Sequence, residues 1–355
     1  MITRKKLYFI LVLFTVCVYL LVDFLSNQQL IKLEGYSSDE RFQYSVDTEK
    51  FNDDINVVDS FGSCPDGNII TVGFGGQLGN RIWEYMSLYA AYQLYKDECR
   101  FYPYVPMEIT KDMEVVFQKL WIPILQDLPE VCIQQREKIV IGGHDDIPVK
   151  ELQGKNAVLE LPKYSARYEF VSDYGFDNIR RELRFKPEYV NEVYTNLKSL
   201  KSTYYKENDD VVFVGMHYRG TDYVPHIRKY LHEKFEGPPT YEYYNKAMSF
   251  FQEKYEKVIF ILVTIDTNWI DQNKAGFKKD ANLAINPFES EKLKDLALLS
   301  HCNHSIISYG SFSSTAALFA GGTTFVYDLQ IPLNVKGPIL AMGLASRLPN
   351  WHVLK

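Results

Sequence analysis

The sequence predicts an α/β protein built from two parallel-sheet halves with a ligand cleft between them. Apolar runs rich in β-branched residues end abruptly in polar loops at residues 211–216 and 258–264, as buried parallel strands do. Glycine-rich loops open helical patterns at residues 73–79 and 310–315. The order strand, polar loop, helix occurs on both sides of a polar linker at residues 201–210, so each side should form a layered α/β unit.

The composition bounds the size of the protein and its class of partners. A chain of 355 residues is long enough for one large or two medium domains, and a net charge of −6 gives no indication of a nucleic-acid partner. Of the five cysteines, Cys17 lies in an apolar segment, and the other four allow one or two disulfides in an oxidising compartment. Their spacing leaves the pairing open and contains no C-x-x-C pair that would favour zinc.

The amino-terminal residues predict a membrane anchor. Residues 1–6 form a short basic cytosolic tail, and residues 7–25 are almost entirely apolar and about as long as the roughly 20 residues that cross a bilayer. Because the basic side of an anchor stays in the cytosol, the bulk of the chain should lie in the lumen. A cleaved signal peptide is the alternative, but no small-x-small site follows Val22. Residues 26–66 are polar and lack periodicity, which indicates a flexible stem.

The first half, residues 67–205, begins with a strand and a glycine loop. We expect a strand at Asn68–Val72 and a helix with apolar periodicity from Ile82 onward. A glycine loop that opens a helix is typical of an anion-binding site, although a tight strand-to-helix turn explains it as well. The loop lacks the Lys-Ser/Thr ending of a P-loop and fits the dinucleotide fingerprint only loosely. Farther along, residues 157–161 predict a strand, and residues 179–200 predict one or two amphipathic helices.

The second half, residues 206–355, is organised around the apolar strand predicted at residues 211–216. This strand ends in a polar cluster that contains His217, Arg219 and Asp222. Ligands of open α/β sheets collect at the carboxyl ends of such strands, and a planar guanidinium holds phosphate oxygens bidentately. The alternative is an ion pair between Arg219 and Asp222 that binds no ligand.

The remaining elements of the second half repeat this arrangement. A helix is expected after Pro239, and the second apolar run ends in Asp266, which either accepts hydrogen bonds from a nucleotide base or ribose or caps the following turn. A helix at residues 293–299 and a strand at residues 305–308 follow. The Gly/Ser turn at residues 310–315 then starts a helix, so its free N–H groups form a second anion site.

Together these motifs resemble those of the alpha-1,2-fucosyltransferases, glycosyltransferase family 11. Residues 75–91 resemble the glycine-rich LGNQ segment of that family, and residues 214–223 resemble its VxxHxRRxDY motif. Residues 260–270 and 295–328 run nearly collinear with the carboxyl-terminal blocks of the family, so the resemblance covers residues 68–328. It implies a GT-B fold with two Rossmann-like domains and a Golgi enzyme that transfers L-fucose from GDP-fucose, with inversion, to the 2-hydroxyl of a terminal galactose on a glycan.

The resemblance also assigns roles to individual residues. Arg219 would bind the β-phosphate of GDP and stabilise the charge that develops on the leaving group, which makes it catalytic. Asp266 would contact the guanine or ribose. The other residues that the resemblance places around the donor are His217 beside the nucleotide, Asn80 at the sugar-phosphate, and Gly310, Ser311 and Phe312 at the diphosphate.

No metal or other cofactor is implied, and GDP-fucose is the donor substrate. The sequence contains no Asp-x-Asp motif, which agrees with this expectation. His301 and His304 lie three residues apart without an acidic partner in place, so we interpret them as packing or capping residues.

One departure from the family motif affects the expected activity. The second arginine of the HxRR pattern is Gly220 here, so another base would have to replace it, and the candidates are Arg81, His226 and Arg228. Because of Gly220, a catalytically silent lumenal glycan-binding protein is an alternative to the enzyme. A fucosyltransferase of the same fold with another linkage or acceptor is a second alternative.

Inverting transfer also needs a base that removes the proton of the acceptor hydroxyl. Asp222 and Glu84 are candidates by their place in the motifs, and Asp222 ranks first. An ion pair with Arg219 explains Asp222 equally well.

Overall fold

The structure is a computed structural model that describes residues 63–220, 224–225, 227–228, 237–330 and 340–355. The expected cytosolic tail, the anchor at residues 7–25 and nearly all of the expected stem lie outside these residues. Among the residues that the structure describes, no helix is both long and apolar enough to cross a membrane.

The first sheet is formed by β1 (Asn68–Val72), β2 (Phe101–Pro103), β3 (Lys138–Val140) and β4 (Val158–Leu161). All of its strands are parallel, and their order is β2-β1-β4-β3. The strands β1 and β4 confirm the two predictions for this half. The strands β2 and β3 contain three residues each, which is too short for a hydrophobic period to be visible in the sequence.

Helices of very different length lie in the same part of the chain. They are α1 (Leu78–Cys99), α2 (Met107–Val116), α3 (Val131–Gln134), α4 (Val149–Leu152), α5 (Tyr168–Tyr174), α6 (Phe176–Glu182) and α7 (Pro187–Tyr204). The longest is α1, which is buried on nearly all sides in its first half and begins one turn before the expected start at Ile82. The helices α6 and α7 confirm the amphipathic helices predicted there, and they are separate because Pro187 starts a new helix at its favoured first position.

A disulfide joins the chain before β1 to α3 in the first half. Cys64 and Cys132 are bonded, with their Cα atoms 5.2 Å apart and 68 positions apart in sequence. This pairing was left open by the cysteine spacing. A loop of this length restricts the unfolded chain by about 4 kcal/mol in the chain-entropy model. Cys99 and Cys302 are buried and take no part in this bond.

The second sheet is formed by β5 (Val212–His217), β6 (Val258–Val263), β7 (Leu283–Ile285), β8 (His304–Ile307), β9 (Thr324–Tyr327) and β10 (Trp351–Leu354). All of its strands are parallel, and their order is β10-β9-β8-β5-β6-β7. Counted from β5, this is the doubly wound order 3-2-1-4-5-6 of Rossmann-like sheets read from the other edge. The point at which the strand order reverses lies between β5 and β8.

The helices of the second half are α8 (Tyr241–Lys254), α9 (Thr267–Asn273), α10 (Lys292–Ser300), α11 (Ser311–Ala320) and α12 (Leu340–Ala345). They confirm the helices expected after Pro239, at residues 293–299 and after the Gly/Ser turn. The main apolar core of this half lies between the central strands and α8, where Tyr244, Phe251 and Phe260 are completely buried. This packing fixes the ends of β5 and β6, from which the polar loops emerge.

Two parallel, Rossmann-like sheets therefore follow one another along the chain, which is the GT-B-like α/β arrangement. The change from one sheet to the other falls between β4 and β5. The domain boundary expected between residues 205 and 206 lies within this interval and remains a prediction.

Candidate active site

The carboxyl ends of β5 and β8 meet at the reversal point of the second sheet, where ligands of doubly wound folds bind. The loops that follow these strands are tied together. The N–H of Arg219 donates to the hydroxyl of Ser308 over 3.0 Å, and the N–H of Ser308 donates to the carbonyl of His217 over 3.2 Å. The backbone position of Arg219 is therefore set by hydrogen bonds across the reversal point.

His217 is a buried and neutral imidazole at this point. Burial, and after it the nearby charge of Arg219, lowers the pKa of His217 to about 3. Its ring packs against Phe312 at a centroid distance of 5.2 Å, and its carbonyl accepts the hydroxyl of Tyr244 over 3.0 Å. Among the described residues, the ring atom Nδ1 has no hydrogen-bond partner. A buried polar atom without a partner costs about 1–3 kcal/mol.

The start of α11 meets the start of α1 at the edge of the first sheet. The hydroxyl of Ser311 donates to the side-chain oxygen of Asn80 over 2.6 Å, although 231 positions separate them in sequence. The two backbones also touch, because a Cβ atom added at Gly79 would lie 2.5 Å from the nitrogen of Phe312. We call this contact, at residues 76–80 and 310–312, the helix-start junction.

The electrostatics of the helix-start junction favour an anion. In the part of the chain that the structure describes, no side chain caps the first N–H groups of α1 or α11. Each helix start carries a partial positive charge, so bringing two together is unfavourable unless a negative group lies between or beside them. Gly310 precedes α11 with φ = 97°, a left-handed conformation that suits glycine and exposes the following N–H groups.

Asp266 follows β6, the neighbour of β5, and its carboxylate fills the space beside Gly220. A Cβ atom at Gly220 would lie 2.8 Å from the Cγ of Asp266, which leaves no room for an arginine. The other carboxylate oxygen, Oδ1, accepts the N–H of Trp269 over 3.0 Å and so caps α9. A cap on the following turn was the alternative interpretation of Asp266. Contact of Asp266 with guanine or ribose remains a prediction. No sequence motif indicated this relation between positions 220 and 266.

The base candidates lie in different environments. Asp222 lies outside the described residues. Glu84 is completely buried, and its Oε1 accepts the N–H of Tyr164 over 2.7 Å. Burial raises the pKa of Glu84 to about 7, against the lowering effect of hydrogen bonds from the backbone of Tyr164 and Gly75 and of the charge on Arg81. A carboxyl without exposure does not reach an acceptor hydroxyl, so Glu84 supports the loops around it instead.

Three basic residues were considered as substitutes for the second arginine of the motif. Arg81 pairs with Asp112 over 3.1 Å, and Lys292 of the second half approaches the same carboxylate at 3.5 Å. Arg228 is exposed, and His226 lies outside the described residues.

The two histidines that raised the question of a metal have structural contacts. The Nδ1 of His301 lies 2.7 Å from the carbonyl of Ala297, and the Nδ1 of His304 accepts the N–H of Thr323 over 2.9 Å. Within the described ranges, no group of three His, Cys, Asp or Glu side chains is arranged to hold a metal ion.

The structure thus brings most of the residues named from the sequence to one place. Those at the reversal point and the helix-start junction are Asn80, His217, Arg219, Gly310, Ser311 and Phe312. Asp266 lies on the next loop of the same sheet. The sequence reasoning missed Ser308, which positions Arg219. Its only signal was a hydroxyl at the end of an apolar run.

Two Rossmann-like sheets with uncapped helix starts at their carboxyl edges form a GT-B-like architecture. Residues 65–354 match the family model described as Glycosyl transferase family 11, and the chain belongs to this family.

Curated relatives share low identity over most of their length. The chain is 22% identical to galactoside 2-alpha-L-fucosyltransferase SEC1 of Bos taurus over 289 residues, which cover 81% of this chain and 74% of that protein. It is 27% identical to galactoside alpha-(1,2)-fucosyltransferase 1 of Oryctolagus cuniculus over 295 residues, with 81% and 74% covered. Among solved structures, a mutant of Arabidopsis thaliana FUT1 in complex with GDP has a TM-score of 0.43 and 15% identity and covers 87% of this chain and 79% of that chain.

Proposed function

We propose that this protein is a galactoside alpha-1,2-fucosyltransferase, which moves L-fucose from GDP-fucose, with inversion and without a metal, to the 2-hydroxyl of a terminal galactose on a glycan. The observation that carries the proposal is the helix-start junction beside His217 and Arg219, in a chain of glycosyl transferase family 11. The relatives named galactoside alpha-(1,2)-fucosyltransferases support the choice of transferred sugar, acceptor and linkage.

The leaving group is the part of the donor whose negative charge increases during the reaction. The bond between fucose C1 and the β-phosphate oxygen breaks with its electron pair going to GDP, while the acceptor oxygen bonds to the opposite face of C1 and loses its proton to a base. GDP gains negative charge in this step. The backbone of Arg219 and the N–H groups at the start of α11 are fixed by the fold, so the guanidinium and these N–H groups would stabilise that charge in the transition state with little reorganisation.

The remaining residues hold the donor. His217 stays neutral at ordinary pH and would pack near the nucleotide, while Asn80 would meet the sugar-phosphate from the first half. Asp266 would contact guanine or ribose from the loop after β6. Asp222, three residues after Arg219, is our proposal for the base.

We also propose that the protein is a single-pass type II Golgi membrane protein with its catalytic part in the lumen. The apolar segment at residues 7–25 after a basic tail supports this location. The Cys64–Cys132 disulfide supports it further, because such bonds persist in oxidising compartments.

The test is to incubate the chain with GDP-fucose and a panel of terminal galactosides in the presence of EDTA. The two quantities measured are the release of GDP and the linkage of the product. Fucose on the galactose 2-hydroxyl is expected. Transfer to another position or acceptor would favour the related fucosyltransferase. Acceptor binding without nucleotide-dependent transfer would favour the silent glycan-binding protein. Asp266 fills the space that a side chain at position 220 would need, which explains the glycine there for either function.

A further inference from the structure

Two large aromatic side chains are exposed at the carboxyl edge of the first sheet. Phe74 follows β1 and is 45% exposed, and Tyr164 follows β4 and is 56% exposed. The two strands are direct neighbours, and the N–H of Gly73 still donates to the carbonyl of Leu161 over 2.8 Å where they end. The two aromatics therefore stand on adjoining loops at one edge, and no sequence motif had singled them out.

Tyr164 is held in place by its backbone. Its φ angle of 60° is left-handed, a conformation that costs a residue with a side chain about 1–3 kcal/mol. Its N–H donates to the buried carboxyl of Glu84 over 2.7 Å. Its ring lies on Gly75, where an added Cβ atom would be 2.7 Å from the ring atom Cζ. The fold thus maintains a strained backbone and a glycine contact around a tyrosine whose ring stays largely in solvent.

This aromatic edge borders the helix-start junction. Gly75 and Gly76 link Phe74 to the junction, and a Cβ atom at Gly76 would collide with the side-chain amide of Asn80. Asn80 in turn accepts the hydroxyl of Ser311 from the second half. A sugar resting on Phe74 and Tyr164 would therefore lie one loop away from the place where we put the sugar-phosphate of the donor.

We propose that Phe74 and Tyr164 form the platform on which the acceptor galactose rests. The proposal depends on the proposed function. Galactose suits this surface because its axial 4-hydroxyl leaves the opposite ring face lined with C–H groups, which pack on the face of an aromatic ring while the hydroxyls remain in water. The exposed ammonium of Lys163, 5.9 Å from the centre of the Tyr164 ring, is placed to donate hydrogen bonds to those hydroxyls.

The substitution Tyr164→Gly tests the platform without endangering the fold. Glycine suits the left-handed backbone and keeps the N–H that Glu84 accepts, so the variant should be as stable as the native chain or more so. We expect the KM for the galactoside acceptor to rise at least about tenfold, which corresponds to about 1.4 kcal/mol, while the KM for GDP-fucose stays the same. Tyr164→Phe returns the ring and should recover most of the lost affinity.

Tyr194→Ala is the matched control, because Tyr194 is a 48% exposed tyrosine on α7. It should change neither KM. An unchanged acceptor KM in Tyr164→Gly, or an equal rise in Tyr194→Ala, would overturn the platform.

A binding measurement separates failure of the platform from failure of the proposed function. Saturation-transfer NMR of methyl β-galactoside is recorded with the full chain in the presence of GDP, for the native protein and for Tyr164→Gly. The native protein should saturate the C–H face of the sugar, and the variant should lose this signal. If the native chain binds the galactoside in this way but transfers no fucose, the proposed function fails and the platform stands. If binding is the same in both proteins, or the native protein binds no galactoside, the platform fails whether or not transfer occurs.

Discussion

The backbone of Arg219, the residue that we propose to bind the β-phosphate, is fixed by the fold. Its N–H is held by Ser308, and the guanidinium lies beside the buried His217, whose pKa it helps to lower. We predict that Arg219→Ala lowers kcat about 10²–10³-fold, because removing one fixed group that stabilises transition-state charge has an effect of that size. The kcat of Arg219→Lys should lie between those of the native protein and Arg219→Ala, since lysine keeps the charge and loses the bidentate geometry.

Steady-state kinetics with circular dichroism measures this effect and checks the fold. Arg181→Ala serves as the control, because the only described hydrogen bond of the Arg181 side chain is to Asn178 in its own helix. A folded Arg219→Ala variant with native turnover would remove Arg219 from the mechanism.

Gly220 and Asp266 make a second prediction, which concerns the departure from the family motif. We predict that Gly220→Ala destabilises the protein by about 1–3 kcal/mol, because its Cβ atom would overlap the Asp266 carboxylate. Asp266→Ser keeps an N-cap for α9 and removes the carboxylate oxygen that lies nearest the added Cβ atom, so the double variant should recover part of the loss. Urea unfolding of both single variants and the double variant measures this coupling. Simple additivity of the two changes would show that the two positions do not compete for space.

At the scale of elements, the strands and helices that were predicted show an apolar run or an apolar period in the sequence. The strands β5, β6 and β8 were visible because each is buried and rich in β-branched residues. By contrast, β2, β3 and β7 contain three residues each, and their strand conformation comes from pairing with a neighbour. The start of α1 was placed one turn late because no N-cap side chain marks it.

Part of the candidate site could also be predicted from the sequence. Arg219, His217 and Asn80 stand at strand ends or glycine loops, and the resemblance assigned their roles. Local sequence does not show which atoms meet across the fold. The Ser308 contact with Arg219, the place of Asp266 beside Gly220 and the left-handed backbone of Tyr164 depend on residues more than 40 positions away in sequence.

One prediction concerns the helix-start junction, where α1 meets α11. Gly79→Ala would place a methyl group 2.5 Å from the nitrogen and 2.8 Å from the Cα of Phe312, so the two helix starts must move apart. We expect the KM for GDP-fucose to rise and the melting temperature to fall. Gly143→Ala is the matched control, because no described atom lies within 4 Å of a Cβ atom at that position. Equal donor KM values in the two variants would show that the junction does not form the donor site.

For the whole molecule, buried ionisable groups link stability to pH in opposite directions. Burial raises the pKa of Glu84 and of Glu182 to about 7, from the ordinary value of 4.5. The folded state therefore binds these protons more tightly than the unfolded state, and each group stabilises the fold as the pH falls from about 7 to about 4.5. His217 acts in the other direction, because its pKa is lowered from 6.5 to about 3 and the unfolded state takes up its proton first. Below about pH 6.5 the effects of these groups oppose each other, whereas between 6.5 and 7 only the carboxyls contribute.

The substitution Glu182→Gln isolates one of these contributions. Glu182 lies at the end of α6 and accepts a hydrogen bond from Tyr89, which a glutamine oxygen can also accept. At pH 8 the native carboxyl must ionise in a buried place, at a cost on the order of 3 kcal/mol, and glutamine avoids this cost. At pH 5 the native carboxyl is protonated when folded and resembles glutamine. We therefore predict that Glu182→Gln raises the free energy of unfolding relative to the native chain more at pH 8 than at pH 5, as measured by urea unfolding at both values. The exposed Glu137→Gln should show no such difference between the two pH values, and a difference for Glu182→Gln of zero or of the opposite sign would show that its carboxyl is not buried in the folded protein.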